Sequence, residues 1–116
     1  MSVPNPRREA FRILRRVEDG GAYASILLDR SAALLRDPRE VALLTEIVLG
    51  VLRRRAALDH AIARAAARPL DDLDREVLTA LRIGAYALLF LDRVESLVDD
   101  VFRRRVYAGS RREETR

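Results

Sequence analysis

The chain is 116 residues long, 49% hydrophobic and 34% charged, which bounds it to one domain with enough apolar supply for a single core. It has no cysteine, which excludes disulfides, thiolate metal sites and cysteine nucleophiles, and it has no apolar run of the roughly twenty residues that span a bilayer. The net charge is +4 and all of the 22 basic residues are arginine, whose planar fork pairs with phosphate and stacks on bases.

Helical periodicity runs through nearly the whole sequence. Asn5-Pro6 opens a first helix, with proline tolerated at the first position, and Ala10, Ile13, Leu14 and Val17 form its apolar stripe. Gly20-Gly21 ends it. Arg8, Arg12, Arg15 and Arg16 fall on the opposite face, which predicts that they project away from the core. A second helix is predicted over about residues 24–36, with Leu27, Leu28, Leu34 and Leu35 on one side. Asp37-Pro38 then opens a third, about 39–55, with Glu40 at the capping-box position. Val41, Leu43, Leu44, Ile47, Val48, Val51 and Leu52 cover much of its circumference, so it is expected to be the central element.

Arg53 to Arg55 are expected to close that helix, where the macrodipole favours positive charge. A short fourth helix is predicted over about 58–67, ending before Pro69. Leu73 and Leu78 flank Asp74 as a hydrophobic staple and mark a fifth helix, which contains LTALRIGAYALLFL (78–91) and is apolar on most sides. A sixth helix is expected over 96–107, with Leu97, Val98, Val101 and Phe102 on one face, before an apolar-free tail. The expected domain is 1–107, with a flexible tail at 108–116. With no sustained two-residue alternation, the fold class is all-α: five or six helices around two buried ones.

Catalytic and ligand motifs do not emerge. Gly50 and Gly84 stand alone inside helices and read as close-packing positions rather than as a phosphate loop. His60, the single histidine, lies off its helix's apolar stripe and is expected to face solvent. Asp71, Asp72, Asp74 and Glu76 precede a helix, where capping and the dipole account for negative charge. Asp99 and Asp100 are helical neighbours that point in different directions. The expectation is a non-enzymatic, soluble, cytoplasmic chain with no cofactor and no metal.

That leaves the arginines. In NPRREAFRILRR (5–16) and the four residues before it, five arginines accompany one acid, Glu9. A GC-rich coding sequence is the bland alternative for the arginine bias and nucleic-acid work the other, while for this face a solvated surface laced with ion pairs to Glu9, Glu18 and Asp19 is the plain alternative. The imbalance favours a row of charge that can follow a sugar-phosphate backbone. Asn5 is the only side-chain amide, so paired-amide reading of adenine is largely excluded. Of the aromatics, Tyr86 and Phe90 are expected in the core and Tyr23 at a surface. Charge-dominated, weakly specific RNA binding is the expectation.

Taken in order, GGAYAS (20–25), LTEIVLGVLRRRAALDH (44–60), RPL (68–70) and LDREVLTALRIGAYALLFLDRV (73–94) resemble the NusB family. Within it they look most like the N-terminal NusB-like domain of RsmB-type 16S rRNA cytosine-5 methyltransferases. The resemblance spans about residues 7–94. It implies a NusB-like helical bundle and a non-catalytic RNA-binding domain, acting in transcription antitermination or rRNA modification. RNA-binding roles are implied for Arg7 and Arg8, to which the helix geometry adds Arg12, Arg15 and Arg16; the LRRR match adds Arg53, Arg54 and Arg55. For that second run, capping and pairing with acids is the rival reading. The implied partners are RNA, as rRNA or a transcript leader, with a ribosomal protein or a separate methyltransferase.

The sequence also departs from the family. ESLVDDVF (95–102) lacks the usual proline and histidine, and the family's last helix has no counterpart, so the C-terminal part is expected to be truncated or divergent. An apolar surface there gives the alternative reading, a homodimer or protein-interaction module without an RNA role. RsmB-type methyl transfer needs an S-adenosylmethionine domain and an attacking cysteine, and this sequence has neither.

Overall fold

Residues 4–91 are described by the structure, a computed structural model. They form α1 (Pro6–Glu18), α2 (Ala24–Leu35), α3 (Pro38–Arg53), α4 (Arg55–Ala66) and α5 (Arg75–Tyr86). A 3-10 turn, Leu70–Asp72, precedes α5, and a π-helical turn, Ala87–Leu91, continues it. No strand occurs among the described residues, so the fold is all-α. The expected sixth helix and tail lie outside them.

The starts of α1 and α3 follow from local chemistry. Asn5 Oδ1 accepts the Arg8 N–H at 2.9 Å, with Pro6 supplying a fixed φ and no orphan donor. Asp37 Oδ1 accepts the Arg39 N–H at 2.9 Å ahead of α3. The arginine triplet does not close α3 as expected: Arg53 ends it, Arg54 sits between helices, and Arg55 begins α4. Arg54, at φ −106° and ψ 16°, leaves the α region and turns the chain without a loop.

Helix α1 packs against α2, α3 and α5, and α3 against α1, α2, α4 and α5. Leu44, Ile47, Val48 and Leu58 are fully buried at the centre, with Ala10, Ile13 and Leu14 of α1 beside them. The central role expected for α3 is thus shared with α1. On α5 the buried positions are Leu78, Thr79, Arg82 and Tyr86, and the next is Leu91, five residues on. The π turn inserts one residue into the helical period, which carries Leu91 inward and leaves Leu88 and Leu89 outside.

Gly50 and Gly84 play different parts. A Cβ on Gly50 would meet the ring and hydroxyl of the buried Tyr86, so the missing side chain is what lets α5 approach α3. A Cβ on Gly84 would meet nothing, which corrects the expectation that it serves packing. Gly50→Ala is expected to destabilise the domain by about 1–3 kcal/mol, a typical overpacking cost. In a thermal-melt cycle with Tyr86→Ala the two losses should be less than additive. Gly84→Ala should instead be neutral or stabilise by up to about 1 kcal/mol through helix propensity.

Candidate nucleic-acid interface

Two acids of α1 sit at positions that would neutralise its arginines if they faced outward. Both turn inward. Glu9 is buried and its Oε2 accepts the Ser31 hydroxyl of α2 at 2.9 Å. Glu18, at the other end, enters a cluster that ties α1 to α4 and α5. Arg82 of α5 is only 7% exposed; its Nε and Nη2 donate to the two oxygens of Asp59 at 2.7 and 3.0 Å. Its Nη1 donates to Glu18 Oε1 at 3.0 Å, and Arg55 Nη2 donates to the same oxygen at 3.0 Å. The Thr79 hydroxyl lies 3.4 Å from Glu18 Oε2 and 3.0 Å from the Arg75 carbonyl oxygen.

These contacts decide the charge of Glu18. Burial pushes its carboxyl up, but the hydrogen bond and charge of Arg82, with the charges of Arg55 and Arg15, outweigh burial and hold it below the usual carboxylate range. Glu18 is therefore ionised at neutral pH, and its charge is spent within the cluster rather than on the outer face of α1.

The expected site residues divide accordingly. Arg8 and Arg16 are exposed, and neither guanidinium has an ion-pair partner among the described residues. Arg12 is 69% exposed at its side chain, with Nη1 3.5 Å from Glu9. These three stand at four-residue steps, one turn apart along one line of the helix. Arg7 is exposed and already carries an interaction.

Arg15 does not project away as expected. Only 18% of its side chain is exposed, it lies 3.5 Å from Glu18 and 3.3 Å from Asp19, and its Nη1 is buried without a hydrogen bond. Its partner Glu18 is itself held by Arg82 of α5, which packs against α1, and this draws Arg15 toward the cluster.

The second run divides too. Arg53 is exposed, and Arg54 lies over the Phe90 ring at 4.1 Å from its centroid, a cation–π contact. Arg55 is drawn to Glu18, so the acid-pairing reading holds for this one residue, and the α3–α4 junction is brought to the C-terminal end of α1. His60 is exposed, and Tyr86 is buried with Phe90 packed against the core.

Sequence reading missed the cluster itself. Arg82, Thr79 and Glu18 occupy positions at helical spacing from buried apolar neighbours, and a charge on an apolar stripe was the available signal. Among the described residues no group of three His, Asp or Glu could hold a metal ion, and no helix is long and apolar enough to cross a membrane.

The chain matches the model of the NusB family over residues 4–98. It is 43% identical over 88 residues to the ribosomal RNA small subunit methyltransferase B of Thermus thermophilus, covering 73% of this chain and 21% of that protein. It is 42% identical over 83 residues to the protein of that name from Xanthomonas campestris, covering 72% of this chain and 19% of that one. A Mycobacterium tuberculosis protein with a provisional methyltransferase name is 40% identical over 87 residues, covering 72% and 18%. The chain thus spans about a fifth of the length of these curated relatives. No solved structure matches.

Proposed function

The chain belongs to the NusB family, and on that premise we propose that it is a non-catalytic RNA-binding domain serving rRNA modification or transcription antitermination. RNA lies along the outer face of α1, its phosphates met by Arg8, Arg12 and Arg16 with Arg7 at the start, and by Arg53 and Arg54 at the α3–α4 junction. Arg15 and Arg55 contribute mainly by holding Glu18. The observation that carries this reading is the inward turn of Glu9 and Glu18, which leaves Arg8 and Arg16 without an ion-pair partner among the described residues and Arg12 with one 3.5 Å contact to Glu9.

The names of the relatives support rRNA as the RNA, and with Asn5 the only side-chain amide, base preference is left to arginines, hydroxyls, carboxylates and stacking. Methyl transfer is not assigned to this chain's own residues, because there is no cysteine to attack a cytosine ring. A filter-binding titration of a mixed-sequence single-stranded RNA at several salt concentrations tests the reading. The affinity should fall linearly with salt on logarithmic axes. Affinity indifferent to salt contradicts it.

A second reading, a protein-interaction module, is favoured by the exposure of Val77, Leu81, Leu88 and Leu89, with Leu88 88% exposed. Sedimentation with and without RNA separates the two. Self-association unaffected by RNA, from a chain that does not bind RNA, favours the second.

A further inference from the structure

The chain leaves α1 through Gly20 and Gly21, and this turn opens a groove of about 660 Å³ between α1 and α2. Arg16 of α1 stands on one wall, Tyr23, Ile26 and Arg30 on the other, and the buried Leu27 lies at the base beside Val17. Among the described residues no carboxylate lines it.

Tyr23 is 78% exposed and Ile26 49%, in a chain whose other described aromatics are buried or half-buried. Tyr23 stands immediately before α2 and its side chain makes no capping bond. Among the described residues the ring makes no aromatic pair and no cation–π contact. An aromatic face beside an exposed isoleucine, between two cations and with no carboxylate among the described lining residues, matches a base joined to a phosphate: the ring stacks, the guanidinium groups meet the anion.

We infer that this groove seats one unpaired nucleotide of single-stranded RNA, its base stacked on Tyr23 and its phosphates met by Arg16 and Arg30. The inference deepens the RNA reading above and rests on it. Arg16 belongs to both surfaces, so a strand running along Arg8 and Arg12 reaches the groove at the end of α1. A base in a duplex has both faces covered by its neighbours, and only an unpaired one can turn out to meet a ring. The groove therefore makes the domain prefer single strands, which the arginine row alone does not.

The test exploits the absence of tryptophan. Tyr23→Trp introduces a single indole, whose emission reports stacking directly. The probes are a mixed-sequence 12-nucleotide RNA and the same RNA annealed to its complement. The single strand is expected to quench the indole, and the duplex to leave the emission unchanged. Tyr23→Ala should weaken single-strand binding by about five- to a hundredfold, the range of one aromatic–base stack, with an unchanged salt slope. Arg30→Gln should lower that slope by about 0.7, one phosphate's worth on a single strand.

If wild type binds the single strand but Tyr23→Ala binds it equally well, or the indole ignores it, the groove inference is overturned while the arginine row stands. If wild type binds neither RNA, both fall. If the indole emission responds to protein concentration alone, the groove is a contact between copies and the inference is wrong.

Discussion

Replacing Arg82 by methionine is expected to cost about 3–5 kcal/mol of stability, the typical result of removing one partner from a buried ion cluster. The variant keeps the aliphatic bulk and loses three hydrogen bonds, which leaves Asp59 without an ion-pair partner among the described residues and Glu18 with Arg15 and Arg55 alone, in a half-buried seam between α1, α4 and α5. For a domain of this size each kcal/mol moves the melting temperature by about 4–8 °C, so circular-dichroism melts should show a fall of at least about 12 °C. Adding Glu18→Gln and Asp59→Asn to Arg82→Met should recover part of the loss, because neutral amides tolerate burial better than unpaired carboxylates. A loss below about 1 kcal/mol would mean that the cluster is solvated and contributes no more than a surface pair.

The pH dependence carries its own sign. Glu18 is held below its unfolded value, so its stabilisation is fully present above the ordinary carboxylate range and is lost as pH falls through the lowered value. In Arg82→Met the hydrogen bond and charge of Arg82 are gone and only Arg55 and Arg15 oppose burial, so the Glu18 carboxyl is held down less than in the wild type. The gap in stability between wild type and variant should therefore narrow on acidification. Melts collected from neutral pH downward check this; a gap that widens toward acid contradicts the charge assignment.

Removing the outer charges should have the opposite profile, a large loss of binding and little loss of stability. Arg8, Arg12 and Arg16 are exposed, so the triple change to glutamine should move the melting temperature by only a few degrees. Each guanidinium that meets a phosphate on a single strand contributes about 0.7 to the salt slope, so the triple variant should lose about 2 from it. At low salt the affinity should drop by at least about a hundredfold, since charge-assisted contacts of about 1 kcal/mol or more each act together. As a matched control, Arg64→Gln, on the exposed face of α4, should leave both quantities near wild type.

Most of the helical layout was legible because the apolar stripes are regular. Helices α1 to α3 fall within a residue or two of their predicted bounds, since Asn5, Gly20-Gly21 and Asp37-Pro38 punctuate them chemically. The α3–α4 junction was harder. A run of three arginines reads as a charged helix end, and only the backbone of Arg54 shows that one helix hands over to the next without a loop. The register change after Tyr86 was not readable, because a π turn leaves no mark in a segment as uniformly apolar as ALLFL.

The candidate surface was legible in kind but not in membership. A helical wheel places Arg15 opposite the apolar stripe as firmly as Arg12, and it cannot know that Arg15 pairs with a glutamate that Arg82 of α5 holds. Nor does it show that Glu9 and Glu18 find partners on other helices, since Ser31 and Arg82 lie far away in sequence. The inward turn of those acids strengthens the charge asymmetry, and it follows from tertiary packing alone.

Amide and arginine side-chain NMR, with the labelled domain titrated by a single-stranded RNA, measures directly where the RNA lies. Shift changes should concentrate on residues 7–16, on Arg53 and Arg54 and on Tyr23 and Arg30 of the groove, with the Nε signals of Arg8, Arg12 and Arg16 moving most and that of Arg82 staying fixed. Changes confined to the α4 face or to the exposed leucines after Tyr86, with the first helix silent, would contradict the account.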